Sequence, residues 1–239
     1  VAGGAYAALS GLRARVEQLD RLASDLANAG TSGYKSERTT TIAAERPTFR
    51  AVLDSAVDVA AGPGRIDFAP GTLHPTGRDL DFSLDGRGFF VVETPAGPRY
   101  TRNGQFARRP DGTLTTMDDL PVLGESGPIV LAQGAVSVDS DGTIRAGNVV
   151  AGKLQLADFA DYATLVREGA GRFRPTAAQA AIPSTATVRS ASLEQSNVSV
   201  ADRMVQLTEL ARGFEALQRG ITILMNEVDG RAISELGRR

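Results

Sequence analysis

Seven apolar residues at the head of the chain, Ala5, Leu9, Leu12, Val16, Leu19, Ala23 and Leu26, are separated alternately by four and three positions. Such steps set them along one seam of an α-helix, at the a and d places of a heptad. Arg13, Arg15, Glu17, Asp20, Arg21 and Asp25 fall off that seam. The far end of the chain repeats the pattern in Leu207, Leu210, Phe214, Leu217, Ile221, Leu224 and Val228, and Met204, Ala211 and Met225 widen the stripe. Ser199, with Asp202 three residues on, supplies an N-cap for this second helix. A seam needs something to cover it, and two seams at opposite ends of one chain are natural partners. The fold expected is therefore α+β, with long N- and C-terminal coiled-coil helices packed together and enclosing a mainly antiparallel β domain.

Between the helices the period changes. Asn28-Ala29-Gly30 ends the first pattern, because Gly or Asn readily takes the left-handed conformation that closes a helix, and Thr31, Ser32 and Gly33 prolong the break. From residue 81 to 180 the signals are those of strands. "DLDFSL" and "GFFVVET" have strand length, and Asn103-Gly104, Asp111-Gly112 and "DSDG" (139–142) are turn sequences. Short strands so closely spaced suggest a compact antiparallel barrel or sandwich. The expected division is a helical domain of residues 1–30 and 196–239, extended linkers at 31–80 and 181–195, and a β-rich domain at 81–180.

The charge balance argues against several partners. The 26 basic and 28 acidic residues are spread along the chain and leave a net charge of −2, whereas a nucleic-acid binder carries a clustered basic face. With no Cys there is no disulfide, thiolate metal site or Cys nucleophile. No apolar run reaches the length of a membrane span, so no membrane insertion is expected. The N-terminus lacks a basic stretch leading into an apolar run, so no cleaved secretory leader is expected.

Candidate chemistry is thin. "GNVVAGKL" (147–154) fits G-x-x-x-x-G-K, but Leu154 stands where a P-loop needs a hydroxyl and the sequence runs on like a strand. "DSDGTI" has its Gly at the fourth place of a calcium loop, where the sixth is required. His74 is the one His and sits among Pro and Gly. Asp79, Asp81 and Asp85 could pose as paired carboxylates for glycan hydrolysis, although in so turn-rich a stretch the solvated reading is favoured. Asn197-Val198-Ser199 matches a glycosylation sequon but serves equally as a capping segment. No catalytic group, cofactor or metal is assigned.

Three quoted stretches carry a resemblance. "YAALSGL" (6–12) with "LANAGTSGYK" (26–35), then "GRGFFVVETPAGPRYTRNGQFARRPDGTL" (86–114), then "SNVSVADRMVQLTELARGFEALQRGI" (196–221) resemble, in order, the signatures of the rod, hook and axial proteins of the bacterial flagellum. "PVLGESGPIVL" (121–131) with "VSVDSDGTI" (136–144) is similar to the proximal-rod branch more than to the distal one. The resemblance implies a structural subunit of the basal-body rod in the periplasm, exported by the flagellar type III apparatus without signal cleavage. Its partners would be copies of itself and other proximal and distal rod subunits, and its role the transmission of torque. The assembly surface implied comprises Leu9, Leu12, Val16, Leu19 and Leu26 with Met204, Leu207, Leu210, Phe214, Leu217, Ile221 and Leu224. Asn28, Gly30, Thr31, Gly33, Tyr34 and Lys35 would form the linker motif. A soluble adaptor with a self-contained helical hairpin and a glycan-acting enzyme are the competing readings.

Overall fold

A computed structural model describes the backbone of residues 2–39, 64–176 and 179–236; helical side chains are described over 13–27 and 200–216, and at 218, 219 and 222. The chain divides into two compact units, one of residues 1–27, 37–65 and 199–239, the other of residues 28–36 and 66–198.

The first unit contains helix α1 (Ala2–Ala27), the short strands β1 (Glu37–Thr39) and β2 (Gly64–Ile66), which pair, and helix α2 (Val200–Leu236). Ser199 caps α2 through its Oγ, which accepts the Asp202 amide at 3.4 Å. Leu22 of α1 and Leu210 of α2 are buried. Arg203 reaches the buried Asp25 at 3.0 Å, and the Glu37 amide donates to the same carboxylate at 3.3 Å. Gly213 leaves room for Arg15, since a Cβ there would stand 2.0 Å from the Arg15 Nη1.

These helices correct the expected architecture of long terminal coiled-coil helices packed together and enclosing a β domain. Their described side chains make two short stretches, 13–27 and 200–216, and no continuous buried seam runs along either. Val16 is 43% exposed, Leu19 40% and Met204 52%; Leu26, Leu207 and Phe214 are half-buried. Side chains of Leu9, Leu12, Leu217, Ile221 and Leu224 lie outside the described residues. The physical reason is that a heptad says which residues share a face and nothing about what covers it. The β-rich unit, for its part, has cores to which no described residue of α1 or α2 contributes.

That second unit is built from strands β3 (Leu73–Pro75), β4 (Phe82–Asp85), β5 (Phe89–Thr94), β6 (Gly97–Thr101), β7 (Phe106–Arg108), β8 (Leu114–Thr116), β9 (Leu123–Gly124) and β10 (Gly127–Pro128). It continues with β11 (Val136–Val138), β12 (Thr143–Ala146), β13 (Val149–Lys153), β14 (Leu156–Asp158), β15 (Leu165–Arg167), β16 (Arg172–Pro175), β17 (Ile182–Pro183), β18 (Thr187–Ser190) and β19 (Ser192–Glu194). The largest sheet has the order β15-β16-β6-β5-β14-β17, and β11-β12-β13 form a smaller one. Every described pairing within the unit is antiparallel.

The run "GFFVV" explains the layering. Side chains alternate along a strand, so Phe90 and Val92 of β5 enter one core with Phe82, Phe106, Leu114, Val122 and Ile144. Phe89 and Val91 enter the other, with Tyr100, Phe159, Leu165 and Phe173. A strand covered on both faces needs an unbroken apolar run. Phe68 closes the second core edge-on, 5.5 Å from the Phe89 ring and 5.0 Å from that of Phe173. Residues 64–76, within the stretch read as an extended linker, thus hold short strands and a core ring.

Late strands close onto early ones. β18 pairs with β4 and β19 with β3. Ala191, at φ +51°, makes the kink that lets consecutive strands take different partners.

Candidate functional site

Residues 28–36 leave α1 through a turn in which the Thr31 amide donates to the Asn28 carbonyl at 3.0 Å. Gly30 is not the left-handed residue; Gly33 is, at φ +69°. Its amide donates to the Glu194 carbonyl at 2.7 Å. A Cβ at Gly33 would lie 2.3 Å from the Asn103 nitrogen and 2.4 Å from the Arg102 carbonyl carbon. Only a glycine fits so close a crossing in that conformation.

The crossing delivers two side chains inward. Tyr34 is buried beneath the Arg167 guanidinium, whose central carbon stands 4.2 Å from the ring centroid. Arg167 also donates to the Lys35 carbonyl. Lys35 itself is wholly buried, and its Nζ meets the equally buried Glu194 carboxylate at 2.5 Å and the Ala69 carbonyl at 2.8 Å. The other oxygen of Glu194 takes Arg102 at 3.2 Å, while Glu194 Oε1 also accepts the Gly71 amide at 2.9 Å. Arg102 donates onward to the carbonyls of Gly86 at 2.6 Å and Leu84 at 3.4 Å. Burial pushes the Lys35 ammonium below the ordinary lysine range, and Glu194 opposes that shift by attraction and hydrogen bonding.

Asn197 completes the joint. Its Oδ1 accepts the Ser36 amide at 2.6 Å, and its Nδ2 donates to the carbonyls of Asp67 at 2.7 Å and Ala69 at 3.1 Å. Three stretches distant in sequence therefore meet: the linker motif through Lys35, the "YTRNG" stretch through Arg102, and the "SNV" stretch through Asn197. Lys35 and Glu194 are 159 residues apart and Arg102 and Glu194 are 92 apart. Sequence reasoning quoted all three stretches but missed Glu194, which lies just before the third and carries no local pattern.

The candidate carboxylates are not brought together in this way. Asp81 is buried, with Arg78 3.5 Å away. Asp79 is exposed, and Asp85 lies at the surface paired with Arg189 at 2.6 Å. His74 lies on β3 opposite Leu193. The G-x-x-x-x-G-K stretch runs into the strand β13, so it offers no helix N-terminus to a phosphate. Among the described residues no helix is long and apolar enough to cross a membrane.

The family model described as "Flagellar hook protein FlgE/F/G D1 domain" matches residues 83–146, and "Flagellar basal body rod FlgEFG protein C-terminal" matches 189–232. The Caulobacter vibrioides flagellar basal-body rod protein FlgF is 32% identical, with 90% of each chain covered. FlgF of Salmonella typhimurium is 35% identical over 95% of each. FlgG of Bacillus subtilis is 30% identical over 91% of this chain and 93% of that one. The chain belongs to the flagellar basal-body rod protein family, on its FlgF-like side.

Proposed function

We propose that this chain is a structural, non-enzymatic subunit of the proximal rod, which assembles with copies of itself and with other rod subunits to carry torque across the periplasm. It would reach that place through the flagellar type III apparatus. The observation that carries the reading is the buried joint of Lys35, Glu194 and Arg102. A shaft subunit must hold its chain crossings rigidly, and buried charges paired on every side fix one geometry rather than several. Partly exposed apolar residues on the described helical stretches, Val16, Leu19, Met204 and Val205, supply a surface for neighbours. Likeness to FlgG of Bacillus subtilis supports a distal-rod subunit as the second reading.

The test is to express the tagged chain in a host strain lacking its proximal rod gene and to purify basal bodies. Incorporation between the membrane ring and the distal rod, with swimming restored, is expected. A chain that is made but absent from basal bodies overturns the reading. Cross-linking beyond the proximal segment would select the distal position.

A further inference from the structure

We infer that the Lys35–Glu194–Arg102 cluster is a latch that makes the two end crossings of the β-rich unit, residues 28–36 and 192–198, attach or detach as one. The inference concerns the isolated chain and does not depend on the assembly proposed above.

Glu194 is one carboxylate serving two buried cations from different segments, at 2.5 Å to Lys35 and 3.2 Å to Arg102. Lifting 192–198 away would strand both cations in a dry site, with Asp67 as the remaining acid that acts on Lys35. Lifting 28–36 would strip Glu194 of the partner that it touches most closely. Departure of 192–198 leaves buried cations uncompensated, which costs far more than loss of an exposed ion pair, and departure of 28–36 leaves Glu194 with Arg102 as its one charged partner in the cluster. The backbone ties run the same way. The Gly33 amide is held by the Glu194 carbonyl and the Ser36 amide by Asn197. No such tie would survive the departure of one segment alone. Residues 28–36 follow α1 directly and 192–198 run directly into α2.

Arg102 differs from the other two members. It keeps the Leu84 and Gly86 carbonyls whatever the end segments do, so it belongs to the body of the unit and acts as the fixed post of the latch. The prediction is that detachment is local, with the paired strands β5 and β6 left intact.

Hydrogen exchange of the full-length chain, read by mass spectrometry on peptides covering 28–36, 192–198 and 89–101, tests this. In the wild type the first two peptides should open with equal protection. In Glu194→Gln both should exchange faster by the same factor, roughly 100-fold or more given the cost of breaking a buried ion pair. Peptide 89–101 should keep its protection. Lys35→Met added to Glu194→Gln removes the stranded ammonium and should recover part of the loss in both peptides together. Unequal opening of the two segments in the wild type overturns the latch, as does a Glu194→Gln effect confined to one of them. General loss of protection that extends through 89–101 also overturns it, because the cluster would then support the whole unit. A double variant no better protected than Glu194→Gln shows that charge pairing is not what couples the segments.

Discussion

The Gly33 Cα lies so close to Arg102 that an added methyl group would stand 2.4 Å from the Arg102 carbonyl carbon. Backbone crosses backbone there, so neither side can give way by a rotamer change. At φ +69° a β-branched residue is strained as well. Gly33→Val should therefore lose roughly 2–5 kcal/mol of stability from the two effects together. Urea unfolding of the full chain measures it, and an unchanged midpoint would contradict the crossing geometry.

Asn197 holds three backbone groups with one amide. Asn197→Ala should cost about 1–3 kcal/mol, the penalty for partners left unsatisfied. Asn197→Asp should be worse than Ala at neutral pH, because a carboxylate would then face the Asp67 and Ala69 carbonyls. Thermal unfolding of the two variants side by side gives the ranking, and a milder aspartate would be inconsistent with the amide orientation.

The turns at 111–113 and 141–143 contribute to the acid limb of stability. The Thr113 amide holds the Asp111 carboxyl below its ordinary 3.8, and the Thr143 amide does the same for Asp141. A carboxyl whose folded pKa is depressed binds fewer protons folded than unfolded. Its stabilisation is present above 3.8 and is lost as the pH falls through the lower, folded value. Asp111→Asn with Asp141→Asn keeps both turns but removes the titration. Stability should then fall less steeply below pH 3.8 than in the wild type, as read by denaturant midpoints across that range.

Leu19 and Met204 are the sharpest probes of the proposed assembly surface. Both are partly exposed in the chain itself, so Leu19→Lys and Met204→Lys should change its stability by no more than about 0.5 kcal/mol. Incorporation into basal bodies should nonetheless fail. Normal swimming with either variant would remove those residues from the interface.

The structural reading makes a prediction against the enzyme alternative. Asp79 and Asp85 lie on the surface, and Asp85 is engaged by Arg189. Asp79→Ala with Asp85→Ala should leave motility intact in a complementation assay. Loss of swimming despite normal incorporation would bring catalysis back into consideration.

Much of the β-rich unit was legible because its signals are local. The turn pairs, the strand at 89–94 and its partner at 97–101 each rest on neighbouring residues, and the doubly covered strand announced itself as an unbroken apolar run. The strand-like continuation of "GNVVAGKL" is divided between β13 and β14, since Leu154 turns into the core between them. The coiled coil was misread for the opposite reason. Val16 and Leu19 share a heptad face by their spacing, yet a seam's cover is a property of neighbours that no periodicity encodes. Glu194 was invisible because its partners arrive from 159 and 92 residues away. Lys35 was picked out as part of a motif, but a lysine beside a tyrosine gives no hint that it is the most deeply buried cation of the unit.

The pairing of β3 with β19 and of β4 with β18 brings the entrance and the exit of the β-rich unit side by side. What happens to chain length between them is then of little consequence to the doorway. A loop added at an outlying hairpin, such as the exposed bend at 147–148 between β12 and β13, would enlarge the periphery without moving either threshold. The architecture therefore separates two kinds of evolutionary freedom. Ornament can be gained or lost at the hairpins, while the frame that fixes where the chain comes in and goes out stays constant. Relatives of different lengths could share one attachment geometry on this plan, each dressed differently on the outside.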